Sequence, residues 1–141
     1  MDFLASFHSI MQQQTDMALA SCVDNQPNVR IVNFYYHPDN RGVIYFSSFK
    51  NNPKTQEFVH NNRVAITTIP IGDTQHVRVH NATVHKSDLS LYDLQEGFVS
   101  KIPSYQEIIE QAGSELDLYE VRFEQAQVTI DHMTSGSVTV A

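Results

Sequence analysis

Short strand-like segments separated by turn residues run through most of this chain. Runs rich in β-branched and aromatic residues, which favour strands, cover residues 17–23, 29–36, 43–48, 63–69, 75–85 and 118–132. Residues 75–85 alternate most clearly, with Val77, Val79 and Asn81 on one face. The pattern predicts six strands, and the short turns between the first three predict an antiparallel meander over residues 17–48.

Helical segments flank the predicted strands. Asp2 is a good N-cap, and apolar residues at helical spacing follow it, which predicts a helix that ends near Gln13. Residues 87–113 predict two helical pieces broken near Pro103, and residues 133–141 predict a loosely held tail. We expect one domain, 1–141, with a mainly β (α+β) fold in which six antiparallel strands form a small closed or partly open barrel.

The charge of the chain is unevenly distributed. The formal net charge is -7, which argues against nucleic-acid binding. Residues 30–86 nevertheless hold seven basic and three acidic residues, whereas residues 87–141 hold two basic and ten acidic ones. A basic middle segment in an acidic protein suits a compact anionic ligand, although a solvated surface of uneven charge would show the same pattern.

The sequence predicts a cytoplasmic protein without a membrane partner. No apolar run approaches the roughly 20 residues of a membrane span. Residues 1–3 lack the basic start of a secretory signal, and the single Cys22 has no second cysteine with which to form an internal disulfide.

Lys54 lies where a cation is unfavourable. Asn52 is a good N-cap and Pro53 suits the first helical position, so a helix is predicted from there to His60. A helix N-terminus carries free N–H groups and a partial positive charge, so Lys54 is disfavoured there unless an anion binds. This pattern indicates a phosphate site.

Several polar residues on successive predicted elements could join Lys54. They are Arg30, Ser47, Ser48 and Gln75. Arg offers a fork of donors to phosphate, Lys a point charge, and Gln an amide suited to the edge of a heterocycle. Taken singly, Arg30 could form a cross-strand ion pair, Lys54 could be a surface residue, and Gln75 could flank a turn.

Other chemistries find little support in the sequence. His76 and His80 would stand about 13 Å apart on a strand, too far to share a zinc ion. The chain has no HExxH, no CxxC, no Walker loop and no GxGxxG motif, and nothing places a histidine beside Cys22. We therefore predict no metal site and name no catalytic residue.

The ordered set of segments resembles the flavin-binding split-barrel family typified by pyridoxamine 5′-phosphate oxidase. The resemblance spans about residues 17–86 and rests on residues 19–24, 27–34, 43–48, 61–65 and 75–79, with Lys54 and Phe58 between them. It implies a six-stranded antiparallel split β-barrel with flanking helices. It also implies a homodimer with the flavin at the subunit interface.

The resemblance further implies a set of FMN-binding residues. Arg30 and Lys54 would hold the phosphate, and the segment of Arg30, Ile31, Val32 and Asn33 would run along the flavin. Phe46, Ser47 and Ser48 would line the phosphate and ribityl region, and Gln75 would face the isoalloxazine edge. FAD, a deazaflavin and haem are the alternative cofactors, because relatives in this superfamily use them.

Two departures argue against true vitamin B6 oxidase activity. Residues 87–114 are acidic and helical, where the oxidase has basic and hydroxyl residues for its substrate. The chain also has no tryptophan to match the one in the last strand of the oxidase. We therefore expect an FMN-dependent oxidoreductase that acts on another small molecule or on NAD(P)H. The alternatives are a non-catalytic flavin or haem carrier or sensor, and a barrel without a cofactor.

Overall fold

The computed structural model describes residues 1–141 and confirms a mainly β fold with flanking helices. The helices are α1 (Phe3–Gln13), α2 (Pro53–His60), α3 (Gln95–Lys101) and α4 (Tyr105–Ala112), with 3₁₀ turns at Leu91–Leu94 and Gly113–Glu115. The strands are β1 (Asp16–Val23), β2 (Gln26–Asn33), β3 (Tyr35–Tyr36), β4 (Val43–Phe49), β5 (Arg63–Thr68), β6 (His76–Lys86), β7 (Leu116–Arg122), β8 (Gln125–Asp131) and β9 (Thr134–Thr139).

One antiparallel sheet forms a split barrel in which the long strand β6 pairs with three others, β5, β7 and β8. The sheet order is β2-β1-β5-β6-β7-β4-β3, and β8 with β9 branches from β6. The first residues of β6, His76–Arg78, pair with β8, and the last, Thr83–Lys86, pair with β7. Strand β2 stands at one end of this order, so one of its backbone edges has no strand partner.

Two hydrophobic cores lie on opposite faces of β4. Ile44 and Phe46 point into the barrel, where they pack with the apolar face of α1. Tyr45 points the other way, into a smaller core beneath α3 and α4. Because side chains alternate along a strand, neighbouring residues of β4 reach different environments.

The strand assignments from the sequence need three corrections. Residues 118–132 are two strands rather than one, because Phe123 turns into the core at a corner between β7 and β8. The tail is not loose, since β9 pairs with β8. The meander over residues 17–48 is wrong, because β4 pairs with β7 and with the short β3 instead of β2.

A bulge changes the alternation predicted for β6. The pairing of β5 with β6 shifts register between Val64 and Ile66. Opposite this shift His80 and Asn81 are both exposed, and Ala82 is the next residue to face the core. Asn81 therefore does not share the face of Val77 and Val79.

The helices are short. The longest, α1, has 11 residues, and no helix in the structure has the length and apolar character needed to cross a bilayer.

Candidate anion-binding site

Lys54 lies in the first turn of α2 and has no carboxylate partner. Asn52 caps the helix, its side chain accepting from the Lys54 backbone N–H at 3.0 Å, and Pro53 occupies the first turn. The half-buried Lys54 side chain places Nζ 5.7 Å from the centre of the Phe46 ring. None of the ion pairs in the structure includes Lys54. The predicted helix start and cap are thus confirmed.

A second cation, Arg30, lies close enough to Lys54 to influence its titration. Burial, and after it the positive charge of Arg30, lowers the pKa of Lys54. Arg30 is on β2, and its guanidinium carbon lies 6.0 Å from the centre of the Phe58 ring on α2. The structure therefore brings together the two residues predicted to hold a phosphate.

Glu57 on α2 binds Arg30, a contact that the sequence analysis missed. The Nη2 of Arg30 donates to Glu57 Oε2 at 2.6 Å, and its Nη1 donates to Ser21 Oγ at 3.0 Å. Ser21 Oγ also donates to Glu57 Oε2 at 2.9 Å, and Asn28 donates to Oε1 at 3.1 Å. These contacts, with that from Asn28 largest, lower the pKa of Glu57, so this carboxyl is an anion at neutral pH.

The sequence carried a signal for Glu57, but the signal points to a different partner. Glu57 follows Lys54 by three residues, the spacing of a helical ion pair. Strand β2 instead presents Arg30 to the carboxylate, and Lys54 stays unpaired.

Ser48 has a buried hydroxyl without a partner. It lies on the same side of β4 as Phe46, it is 3% exposed, and its Oγ makes no hydrogen bond. A buried polar atom without a partner is costly in a folded protein, which makes Ser48 a good candidate to contact a ligand. Ser47 points to the other side of β4, where its Oγ lies 3.1 Å from the hydroxyl of Tyr105.

The ring of Phe46 belongs to the barrel core. It is fully buried and stacks on Tyr119 with 5.5 Å between ring centres. Its ring packs against the Lys54 side chain and leaves no exposed surface for a ligand.

The other predicted residues of β2 divide between the two faces of the strand. Val32 is buried in the barrel core, whereas Ile31 is exposed. Asn33 is exposed and donates to Asp16 Oδ1 at 2.5 Å. A ligand along this segment would therefore meet the Ile31 side chain and the unpaired backbone edge of β2, not the side chain of Val32.

Gln75 lies away from the two cations within one chain. It is exposed immediately before β6, where its backbone pairs with that of Ile71. Arg30 pairs with Leu19, which pairs with Ile66, which pairs with Val79. Gln75 is thus three strands across the sheet and roughly 13 Å along β6 from the level of Arg30.

A large cavity lies elsewhere in the structure and is less suited to an anion. Its volume is about 1140 Å³, and its walls hold Arg41 and Arg122 together with Asp39, Glu120 and Glu124. Arg122 already donates twice to Glu120. Charges of both signs therefore give this cavity no excess of cations.

A family model described as pyridoxamine 5′-phosphate oxidase-like matches residues 10–134. The chain belongs to this family. No curated protein matches the sequence significantly.

Several solved structures share the fold of this pyridoxamine 5′-phosphate oxidase-like protein at low sequence identity. General stress protein 26 from Bacillus anthracis superposes with a TM-score of 0.73 at 14% identity, covering 99% of this chain and 100% of the other. An FAD-binding protein from Mesorhizobium loti superposes with 0.64 at 15% identity, covering 94% and 92%. A heme-binding protein from Mycobacterium smegmatis superposes with 0.75 at 12% identity, covering 95% of this chain but only 56% of its own length.

Proposed function

We propose that this protein is an FMN-dependent oxidoreductase that holds the flavin phosphate at Arg30 and Lys54. The observation that carries the proposal is a pair of neighbouring cations of which one, Lys54, has no carboxylate partner. Two like charges held close together are stabilised by a bound anion, and Lys54 lies in the first turn of α2, where the free N–H groups also favour an anion. Membership of a family typified by a flavin enzyme favours a flavin phosphate as that anion.

The residues present fit a phosphorylated flavin. Lys54 offers a free ammonium, Arg30 keeps guanidinium N–H groups beyond those bound to Ser21 and Glu57, and Ser48 offers an unused hydroxyl. The open backbone edge of β2 offers N–H groups to a ring lying beside it. A bound flavin supplies the hydride and electron transfer, while the protein binds and orients it.

A second copy of the chain would complete the site. Val29 and Ile31 on the outer face of β2 are 64% and 59% exposed, and their β1 neighbours are Ala20 and Ala18. This apolar face lies on the side of β2 opposite to the Arg30 side chain, and it suits a homodimer interface. In such a dimer the Gln75 that faces the flavin would come from the second copy. Ile31→Lys should convert a dimer to a monomer in light scattering, and a wild-type monomer that binds FMN would refute this arrangement.

The first experiment is the absorbance spectrum of the purified protein, followed by identification of the chromophore released on heating. We expect flavin bands and released FMN. Bleaching of the bound flavin by NADH or NADPH without oxygen would support an enzyme supplied by a nicotinamide donor. A protein that shows neither flavin bands nor FMN binding on titration would contradict the proposal.

Binding without catalysis is the second candidate. It is favoured by the structural similarity to a heme-binding protein and an FAD-binding protein. A Soret band without flavin peaks, or bound flavin that no electron donor reduces, would favour this candidate over an oxidoreductase.

A further inference from the structure

Arg30 and Glu57 form a closed network that needs no ligand. Both terminal nitrogens of Arg30 are engaged, one by Glu57 and one by Ser21. Glu57 in turn accepts from Ser21, Asn28 and Arg30, so side chains from β1 and β2 hold it in place.

The network changes the charge that an incoming phosphate meets. Arg30 and Lys54 together carry two positive charges, and Glu57 cancels one of them at the short distance of 2.6 Å. The Arg30 and Glu57 side chains are only 17% and 27% exposed, so solvent screens this pair incompletely. Lys54, which has no such partner, is left as the cation that is free to bind an anion.

We propose that Glu57 is a built-in counter-anion that competes with the flavin phosphate for Arg30 and sets how strongly the site prefers a phosphorylated flavin. The inference rests on the proposed function, in which the same site holds that phosphate. Glu57 repels a phosphate bound between Arg30 and Lys54, and it occupies donors of Arg30 that would otherwise turn to the phosphate. Affinity for FMN is therefore lower than two unpaired cations would give, and bound FMN exchanges more readily.

The experiment compares FMN with riboflavin, which has the same ring system but no phosphate. The flavin-free protein is titrated with each, and binding is followed by the change in flavin fluorescence. The ratio of the riboflavin Kd to the FMN Kd measures the contribution of the phosphate and is internal to each variant, so differences in stability largely cancel.

Glu57→Gln removes the charge and keeps an oxygen that can accept from Arg30. We expect this ratio to rise about tenfold at low salt, and the gain to shrink at high salt. Glu57→Ala should raise it as well. Glu124→Gln is the matched control, because Glu124 lies exposed in the turn between β7 and β8 and contacts neither cation. We expect that control to stay within about twofold of wild type.

The outcomes separate this inference from the proposed function. An unchanged or lower ratio in both Glu57 variants, with wild type still preferring FMN, overturns the role of Glu57 alone. It would mean that Glu57 positions Arg30 rather than competing for it. A preference for FMN that appears only in the Glu57 variants supports the role of Glu57. No preference in any variant overturns both proposals.

Discussion

Lys101 is a partly buried amine that joins α3 to the barrel, and replacing it with methionine should change how stability depends on pH. At the end of α3, its Nζ donates to the carbonyl of Met11 in the last turn of α1 at 2.9 Å. It also donates to the carbonyl of Phe34 at 3.1 Å and lies 3.7 Å from the centre of the Phe34 ring. No carboxylate pairs with it directly.

The size of the pH effect on the free energy of unfolding follows from the pKa of this amine. Burial lowers the pKa of Lys101 from its ordinary value of 10.5 to about 7, and the nearby Asp16 opposes the shift. Between these two pKa values the unfolded chain binds a proton that the folded protein lacks, so the free energy of unfolding rises with pH. At about 1.4 kcal/mol per unit of pKa, this shift can raise the free energy of unfolding by at most about 2.3 kcal/mol between pH 7 and pH 9. The two carbonyls favour the ammonium and the side chain is not fully buried, so we expect about 1–2 kcal/mol.

Urea unfolding at pH 7 and pH 9, followed by circular dichroism, measures the effect. Lys101→Met leaves two carbonyls without their donor and should be less stable than wild type at pH 9 by about 2 kcal/mol. The gap between wild type and variant should narrow by about 1–2 kcal/mol at pH 7. Lys50→Met, at an exposed position, is the control and should show no such change. A constant gap at both pH values would refute the argument.

Two further substitutions test packing and the site. Ser48→Ala should leave the melting temperature of the flavin-free protein unchanged or raise stability by about 1 kcal/mol, because it removes a buried hydroxyl without a partner, and it should weaken FMN binding. A stability loss above about 1 kcal/mol would show that the hydroxyl has a structural partner. Gly97→Ala should destabilise the protein by about 1–3 kcal/mol in thermal or urea unfolding, since the added Cβ would lie 2.4 Å from Cζ and Oη of Tyr35; an unchanged stability would contradict this close approach of α3 to β3.

Most helices and strands could be predicted from the sequence, because caps and alternation depend only on residues that are close together in the chain. The N-cap at Asn52 with Pro53 located α2, and alternation located β6 up to its bulge. The pairing of β4 with β7 joins residues far apart in the sequence, from Val43 with Arg122 to Phe49 with Leu116, and no local pattern reveals such a partner. The corner at Phe123 lacks Gly and Pro, so the division between β7 and β8 left no turn signal.

The candidate site was partly predictable for the same reason. Arg30 and Lys54 were named as partners, and the structure brings them together. Glu57 was missed because its partner comes from another strand, and the orphaned hydroxyl of Ser48 depends on burial that only the folded barrel defines. Ser47 was predicted beside Ser48, but alternation along β4 turns it to Tyr105.

The most direct test of the proposed phosphate site is titration of wild type and Lys54→Ala with FMN and with riboflavin. Lys54 is a cleaner target than Arg30, because removing Arg30 would leave Glu57 without its cation. The loss of one charge-assisted contact should weaken FMN binding roughly 10–100-fold and leave riboflavin binding within about twofold. FMN affinity that is unchanged, or that falls together with riboflavin affinity, would contradict the assignment of Lys54 to the phosphate.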